Sequence, residues 1–414
     1  MRCLRIPNAC RAIIWLVLAN SLLGTSVARA DVVTDWNLRD GELIAAANLN
    51  TPEANRVMAI AHTAAYEAAN AITRRFPGAG SGLHPGSGAS LDAAIAAAHH
   101  AVLLALVPAQ GATIDQVYQT ALGALADDAP RSMGIAVGEE AATMVLARRA
   151  DDTASAAAHE AYRSHAGAGI YVPTTTPIAS QWPQRTPWLM TSVAQFRPGP
   201  PPDLSGRLWA RDYNEVKSLG SREGSSRSAE QTAIARFWEA TLPSIYHGLV
   251  RSVAGLPGRD VTQNARLFAA VTQAVDDALI AVFDAKYHYG FWRPITAIRS
   301  GDIDGNDATV ADSSWLPFVD TPMHPEYPCA HCIVAAAVGT VLRAEIGAGP
   351  APLLSTSSTT AHGAVRTWSS VEDFMQEVAN ARIYDGVHFR NSTEVGTAMG
   401  RKIGALAVDR FLHQ

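Results

Sequence analysis

Apolar residues recur at every third or fourth position through most of this 414-residue chain, and strand-type alternation is nearly absent. That period commits the chain to helices, each burying one stripe against its neighbours. Between Glu53 and Phe76 the stripe is Val57, Ile60, Ala61, Ala64, Ala68, Ala71 and Ile72. Leu91–Val107, Ile114–Ala126 and Met133–Ala150 repeat it, and much of it is alanine, the best intrinsic helix former. Asp151-Asp152 breaks the pattern and reads as the start of a short helix reaching Ala157–His165. The period returns at Ser226–Thr241 and Val261–Ala285, follows Pro328 as Ile333–Ile346, and closes with Val371–Ile383 and Glu394–Leu412. The expected fold is all-α, a multi-helix bundle, with no fixed-period repeat of the solenoid kind.

Residues 166–225 interrupt this pattern. From Gly167 to Gly206 the chain is rich in Pro, Thr and Gln around apolar islands at Trp182 and Trp188. The segment reads as a long wrapping loop with a capping or functional role, or as a linker. It separates an Ala-rich helical region, 31–165, from a second helical region, 226–414, and the two are expected to share one compact domain.

Residues 1–30 are expected to be a cleaved leader. Arg2, Arg5 and Arg11 precede an apolar run from Ala12 to Val27, and Ala28-Arg29-Ala30 offers small residues at the −3 and −1 positions of a cut before Asp31. The run is about 16 residues, short of a ~20-residue membrane span. The protein is therefore expected to be exported, periplasmic or secreted, with no stable membrane span. Removing the leader takes four arginines and no acid, so the net charge moves from −5 to −9. Such a balance argues against nucleic acid or an anionic membrane surface as a partner. Of the four cysteines only Cys329 and Cys332 remain, so no disulfide framework substitutes for a core.

Three polar clusters stand out. In the first, Lys286 and Arg293 flank four aromatics, and seven residues on a helix would put both cations on one face, unless Gly290 and Pro294 break it. Two cations among aromatics need an anion, or else lie solvated on the surface. In the second, His324 to Cys332, Pro328 precedes a long apolar helical run. The N–H groups of Cys329, Ala330 and His331 would then be the free donors of a helix start, an anion-binding geometry, with His331 available as acid or base. Cys329-x-x-Cys332 is open to a redox disulfide or two buried thiols, and the absence of a second pair excludes a zinc site built from four cysteines. In the third, Arg382 and His388 lie six apart across Gly386, and a turn there would bring both to one anion. The Asp302–Asp307 loop fails the calcium-loop template, and His99-His100 and His362 show no partner pattern.

In order, Lys-x6-Arg-Pro (Lys286 to Pro294), Pro-x-x-His (Pro328 to His331) and Arg-x5-His (Arg382 to His388) resemble the superfamily of vanadium-dependent haloperoxidases and type 2 phosphatidic acid phosphatases. Asn55–Ile72 and Ala97–His100 are similar to its secreted bacterial haloperoxidase-like branch. The resemblance implies that Lys286, Arg293, Cys329 and Arg382, with the Ala330 N–H, hold the oxygens of vanadate or phosphate. It implies His331 as acid/base and His388 as the vanadium ligand or the phosphoryl-accepting nucleophile. Three positions depart from the family pattern: Cys329 and Ala381 stand where serine is usual, and Ala330 where glycine is. A thiol is a weaker donor than a hydroxyl, and a disulfide would remove it.

The expectation is a vanadate-dependent haloperoxidase-like enzyme that oxidises halide with hydrogen peroxide. The alternative is a soluble periplasmic acid phosphatase acting on a phosphate ester, with no cofactor. Cys329 and Ala330 also admit an oxyanion-binding protein with a degenerate site. Halide preference, organic substrate and oligomeric state stay open.

Overall fold

A computed structural model describes residues 31–78, 82–84, 86–152 and 165–413. The expected leader lies outside them, as does most of the short helix expected after Asp152. Among the described residues the amino-terminal half holds α1 (Val32–Ala46), α2 (Thr51–Thr73), α3 (Leu91–Leu106), α4 (Gly111–Gly123) and α5 (Ala129–Arg148). Then come α6 (Arg207–Leu219), α7 (Ala229–Trp238), α8 (Ser244–Ala254), α9 (Val261–Tyr289), α10 (Pro294–Arg299), α11 (Ala330–Ile346), α12 (Val371–Tyr384) and α13 (Arg390–Phe411). The all-α expectation holds. Among the described residues a small antiparallel hairpin, β1 (Leu354–Ser358) and β2 (Ala364–Trp368), is the exception, with Leu354 paired to Trp368.

Side chains set the helix ends. Asn50 caps α2 by accepting the Glu53 N–H, and Asp260 with Gln263 forms a reciprocal capping box at the start of α9. Gly290 ends α9 in the left-handed conformation, φ 54°. Helix α9 is the axis of the fold, buried along nearly its whole length and packed against α2, α11 and α13. The main apolar core draws on residues from Val33 to Phe411, and a smaller separate cluster gathers Trp209, Tyr213, Val216, Trp292 and Phe389. Among the described residues no single helix is long and apolar enough to cross a membrane.

Two helix pairs approach closely over glycine rows spaced by four. On α13, a Cβ added at Gly396 would lie 2.6 Å from the Cys329 carbonyl oxygen, and one at Gly400 would lie 2.1 Å from that of Ile333. On α5, Gly138 faces the Ala94 carbonyl of α3 in the same way, at 2.2 Å. The glycines themselves bring no side chain to the contact and face carbonyl oxygens and alanine Cβ atoms, so hydrophobic periodicity does not reveal these seams.

The expectation of a loop across 166–225 fails at α6, whose Trp209, Tyr213 and Val216 are fully buried. Upstream, the segment is strapped to α9 by carboxylates on that helix. Asp277 accepts the N–H groups of Trp188, Leu189 and Met190 at 2.7, 2.8 and 2.9 Å, and Asp276 accepts the Trp188 indole N–H at 2.7 Å. Asp284 takes two donors from Arg197 at 2.7 Å each. Burial raises the Asp277 carboxyl to about 6, against the pull of its three N–H donors.

The histidine pair without a partner pattern also has partners. His99 Nδ1 lies 2.8 Å from Asp40, and His100 Nε2 lies 2.8 Å from Asp115. His99 belongs to a polar cluster joining α1, α2, α3 and α8, in which Asn37, Asp40, His62, His99 and His247 are buried and Arg251 is half-buried. There the Asn37 amide donates to His62 Nε2 (3.0 Å) and His247 Nδ1 (2.8 Å) and accepts from Arg251 (2.6 Å). Burial lowers the pKa of both imidazoles, aided by His99 at His62 and by Arg251 at His247, which falls to about 3. Both rings are thus neutral when folded and titrate near 6.5 when unfolded, so the unfolded chain takes up protons first as pH falls. Their contribution is complete above about pH 6.5 and declines below it by about 1.4 kcal/mol per pH unit per ring. Denaturant titrations at pH 7 and pH 5 should show His247→Gln losing less stability on acidification than the wild type, by about that slope. Equal losses would contradict the assignment.

Candidate functional site

The second and third sequence clusters line one cavity of about 740 Å³, and the first lies behind it. The first does not present two cations on one helix face. Lys286 sits in the last turn of α9, but the helix ends at Gly290 and Arg293 is the residue before α10. The break turns Arg293 back toward the site: its guanidinium donates to the carbonyls of His324 (2.9 Å) and Val387 (2.8 Å) and lies 3.3 Å from His388 Nε2. Lys286 Nζ donates to the carbonyls of Pro325 (2.9 Å) and Glu326 (2.8 Å). Both cations are fully buried. Burial lowers both pKa values, Lys286 with help from Arg293, and Arg293 to about 10.

The second cluster starts α11 as its spacing implies. Among the described residues the Cys329 N–H is spent on Ser392 O (3.2 Å) and the Cys332 N–H on Cys329 Sγ (3.2 Å), leaving Ala330 and His331 as the first-turn amides at the cavity. Cys329 and Cys332 are joined as a disulfide. This corrects the expectation of Cys329 as an oxyanion-binding side chain: a disulfide sulfur has no proton to donate, and Cys329 is fully buried. His331 is half-buried, with Nε2 3.3 Å from the Ala240 carbonyl, and burial followed by Arg382 lowers its pKa.

The third cluster turns at Gly386, φ 77°, where a Cβ would lie 2.3 Å from the Gly220 carbonyl oxygen. The turn brings His388 back beside Arg382 at the end of α12. Arg382 donates to the Trp238 carbonyl (3.1 Å) and to Asp385, while its Nε, buried, has no hydrogen-bond partner among the described residues. Burial raises the Asp385 carboxyl to about 7 despite Arg382.

His388 is held from behind by Glu326, which the sequence reading left without a role. Glu326 Oε1 lies 2.7 Å from His388 Nδ1 and accepts the Phe389 N–H at 3.0 Å. A carboxylate there requires the proton on Nδ1, and the Arg293 N–H facing Nε2 requires an acceptor there; both contacts select the same tautomer. The Nε2 lone pair is therefore available in a buried, cationic setting. Burial, Arg293 and Lys286 lower the His388 pKa, and burial raises Glu326 to about 7. Only position hinted at Glu326, two residues before Pro328; Asp385, three after Arg382, had the spacing of a helix-end ion pair.

Of the expected site residues, Ala330, His331, Arg382 and His388 line the cavity. Lys286 and Arg293 stand behind His388 and the 324–326 backbone rather than on the wall. An orphaned Arg382 Nε, two first-turn amides and three buried cations suit a tetrahedral oxyanion, whose charge they would neutralise. Among the described residues no group of three or more His, Cys, Asp or Glu is placed to hold a metal ion, so the donor set fits an oxyanion taking one imidazole and not a cation cage.

Residues 266–414 match the family model described as the VCPO second helical-bundle domain. Over 184 residues the chain is 28% identical to the vanadium chloroperoxidase of Curvularia inaequalis; that match spans 37% of this chain and 30% of that enzyme's length. Among solved structures, a bacterial vanadium-dependent iodoperoxidase superposes with a TM-score of 0.79 at 25% identity, covering 92% of this chain and 96% of its own. A holo-type bacterial vanadium-dependent chloroperoxidase has the same fold, with a TM-score of 0.69 at 17% identity over 89% of this chain and 93% of its own.

Proposed function

Because the chain belongs to the superfamily of vanadium-dependent haloperoxidases and type 2 phosphatidic acid phosphatases, we propose that it is a vanadate-dependent haloperoxidase that oxidises halide with hydrogen peroxide. The observation that carries this reading is the buried His388 imidazole, with Nε2 kept unprotonated by Glu326 and set among three cations. Similarity to an iodoperoxidase over nearly the whole chain supports it.

In this reading His388 Nε2 is the protein ligand of vanadate, and Arg382, Arg293, Lys286 and the Ala330 N–H hold the oxyanion. Bound vanadate would supply a Lewis acid that activates hydrogen peroxide without changing its own oxidation state. His331 has its Nε2–H directed at the Ala240 carbonyl, leaving Nδ1 as the acceptor. It would take a proton from incoming peroxide and return it to the departing oxygen. Hydrogen peroxide, halide and a proton give hypohalous acid and water. The exported location belongs to this proposal, supported by the Cys329–Cys332 disulfide.

A carboxylate–imidazole pair with a free Nε2 also suits a phosphoryl-accepting nucleophile, which keeps the phosphatase as the second reading. Incubating the purified protein with orthovanadate, then adding peroxide and bromide, should brominate an indicator dye only when vanadate is present. Hydrolysis of an aryl phosphate without vanadate, inhibited when vanadate is added, would favour the phosphatase instead.

A further inference from the structure

Of the three buried cations, Arg382 lines the cavity, and Asp385 holds it from behind. Asp385 is the residue that follows α12, three positions after Arg382, and is fully buried. Its Oδ2 accepts from Arg382 Nη1, which also donates to the Trp238 carbonyl at 3.1 Å. With Nη1 held by two acceptors, the guanidinium plane is fixed and the orphaned Nε is left for a guest. Asp385 Oδ1 has no hydrogen-bond partner among the described residues. The other charged neighbours of Asp385 are Arg227, Arg236 and Glu239. Arg236 is exposed and pairs with the half-buried Glu239 at 3.0 Å, and the half-buried Arg227 donates to the Tyr384 carbonyl at 3.0 Å. Solvent screens these three, and it does not reach Asp385.

The buried charges gathered around His388 and Arg382 are three cations, Lys286, Arg293 and Arg382, and two carboxylates, Glu326 and Asp385. Burial first, and then the neighbouring cations, lowers the pKa of His324, His331 and His388, so the imidazoles add no charge. With both carboxylates ionised, one positive charge is left over. A tetrahedral guest with one negative charge closes the balance. A guest with two leaves a buried negative charge uncompensated, which is costly. The two oxyanions considered above differ in this respect. Near neutral pH vanadate is mainly singly charged, whereas a phosphate monoester carries about two negative charges.

We propose that Asp385 sets the charge preference of the oxyanion site, selecting a singly charged tetrahedral anion over a doubly charged one. It acts through Arg382 and is a positioning and specificity residue. This rests on the oxyanion site common to both readings of the function, and it favours vanadate over a phosphate ester as the guest. The Asp385 charge repels each negative charge on the guest alike. Removing it therefore helps a dianion about twice as much as a monoanion.

The test measures affinity for two tetrahedral anions of fixed charge, perrhenate with one negative charge and sulfate with two. Binding is read by isothermal titration calorimetry without vanadate, peroxide or halide, at pH 8, above the Asp385 pKa of about 7. Asp385→Asn keeps the shape and still offers Arg382 an oxygen, but removes the charge. It should move the ratio of sulfate to perrhenate affinity toward sulfate by about tenfold or more. A loosened Arg382 would weaken both anions together and leave the ratio where it was, so the ratio reports charge and not position. Asp385→Ser, also uncharged, should move the ratio the same way and serves if the amide variant does not fold. Asp320→Asn removes an equal charge from a fully exposed carboxylate on the cavity lining and should leave the ratio unchanged. An unchanged ratio in the Asp385 variants, or an equal shift in Asp320→Asn, would overturn the role of Asp385 while the oxyanion site stands. Failure of the wild type to bind either anion, or binding that Arg382→Ala does not weaken, would overturn the oxyanion site and this inference with it.

Discussion

A His388→Ala protein should lose halide oxidation by at least about 10³-fold while remaining folded, because the substitution removes the one imidazole that Glu326 and Arg293 jointly orient. Vanadate binding, followed by ⁵¹V NMR, should weaken with it, which separates loss of the ligand from loss of a later proton transfer. Glu326→Gln is the informative companion. The amide keeps the shape and can still accept from Nδ1–H, but it lacks the charge that fixes the tautomer. Loss of such a partner behind a ligand costs about 10–100-fold. Activity should therefore fall less than in His388→Ala, and the acid limb of its pH profile should move. Retention of full vanadate-dependent activity in His388→Ala would refute the site assignment. An unchanged pH profile in Glu326→Gln would refute the role of Glu326.

The second large effect is on the fold. Gly400→Val should destabilise the protein by about 3 kcal/mol or more, because the added Cβ would meet the Ile333 carbonyl oxygen at 2.1 Å and force α13 away from α11. That separation also moves Ala330 and His331, at the start of α11, relative to His388, at the start of α13. Activity should fall further than the loss of folded protein explains. Gly123→Ala provides the contrast, since nothing lies within 4 Å of its added Cβ. It should be neutral or stabilising by about 0.5–1 kcal/mol. Denaturant midpoints of the two variants give the comparison, and similar values would show that the seam does not control α11–α13 packing.

Helix identity was legible because each helix buries a stripe, and a stripe is a local property of sequence. Helix α6 escaped because Trp209, Tyr213 and Val216 pack into a small separate cluster, and the Pro- and Thr-rich stretch before them masks their short period. The straps from Asp276, Asp277 and Asp284 also escaped. A carboxylate on an otherwise apolar helix has no local partner, and its donors lie 87 to 89 positions away in the chain. His99 and Asp40 failed to register together for the same reason.

The candidate site divides in the same way. Lys286, Arg293, His331, Arg382 and His388 could be found because each pair or triplet keeps a fixed internal spacing, and spacing survives in a one-dimensional string. The break at Gly290 and the turn at Gly386 were visible as glycines, but which way they aim Arg293 and His388 depends on what they pack against. Glu326 acquires its role only because α13 begins beside it, and Cys329 loses its role only because Cys332 lies one turn further on the same helix. The sequence by itself determined that the chain is helical and which charged and imidazole groups belong together, since periodicity and spacing are local. The tertiary structure alone decided their geometry: which imidazole nitrogen is free, which cations reach the cavity and how large that cavity is. Those properties arise from contacts between residues far apart in the chain, where burial strips water from the charges and leaves each to be satisfied by whatever the fold brings beside it.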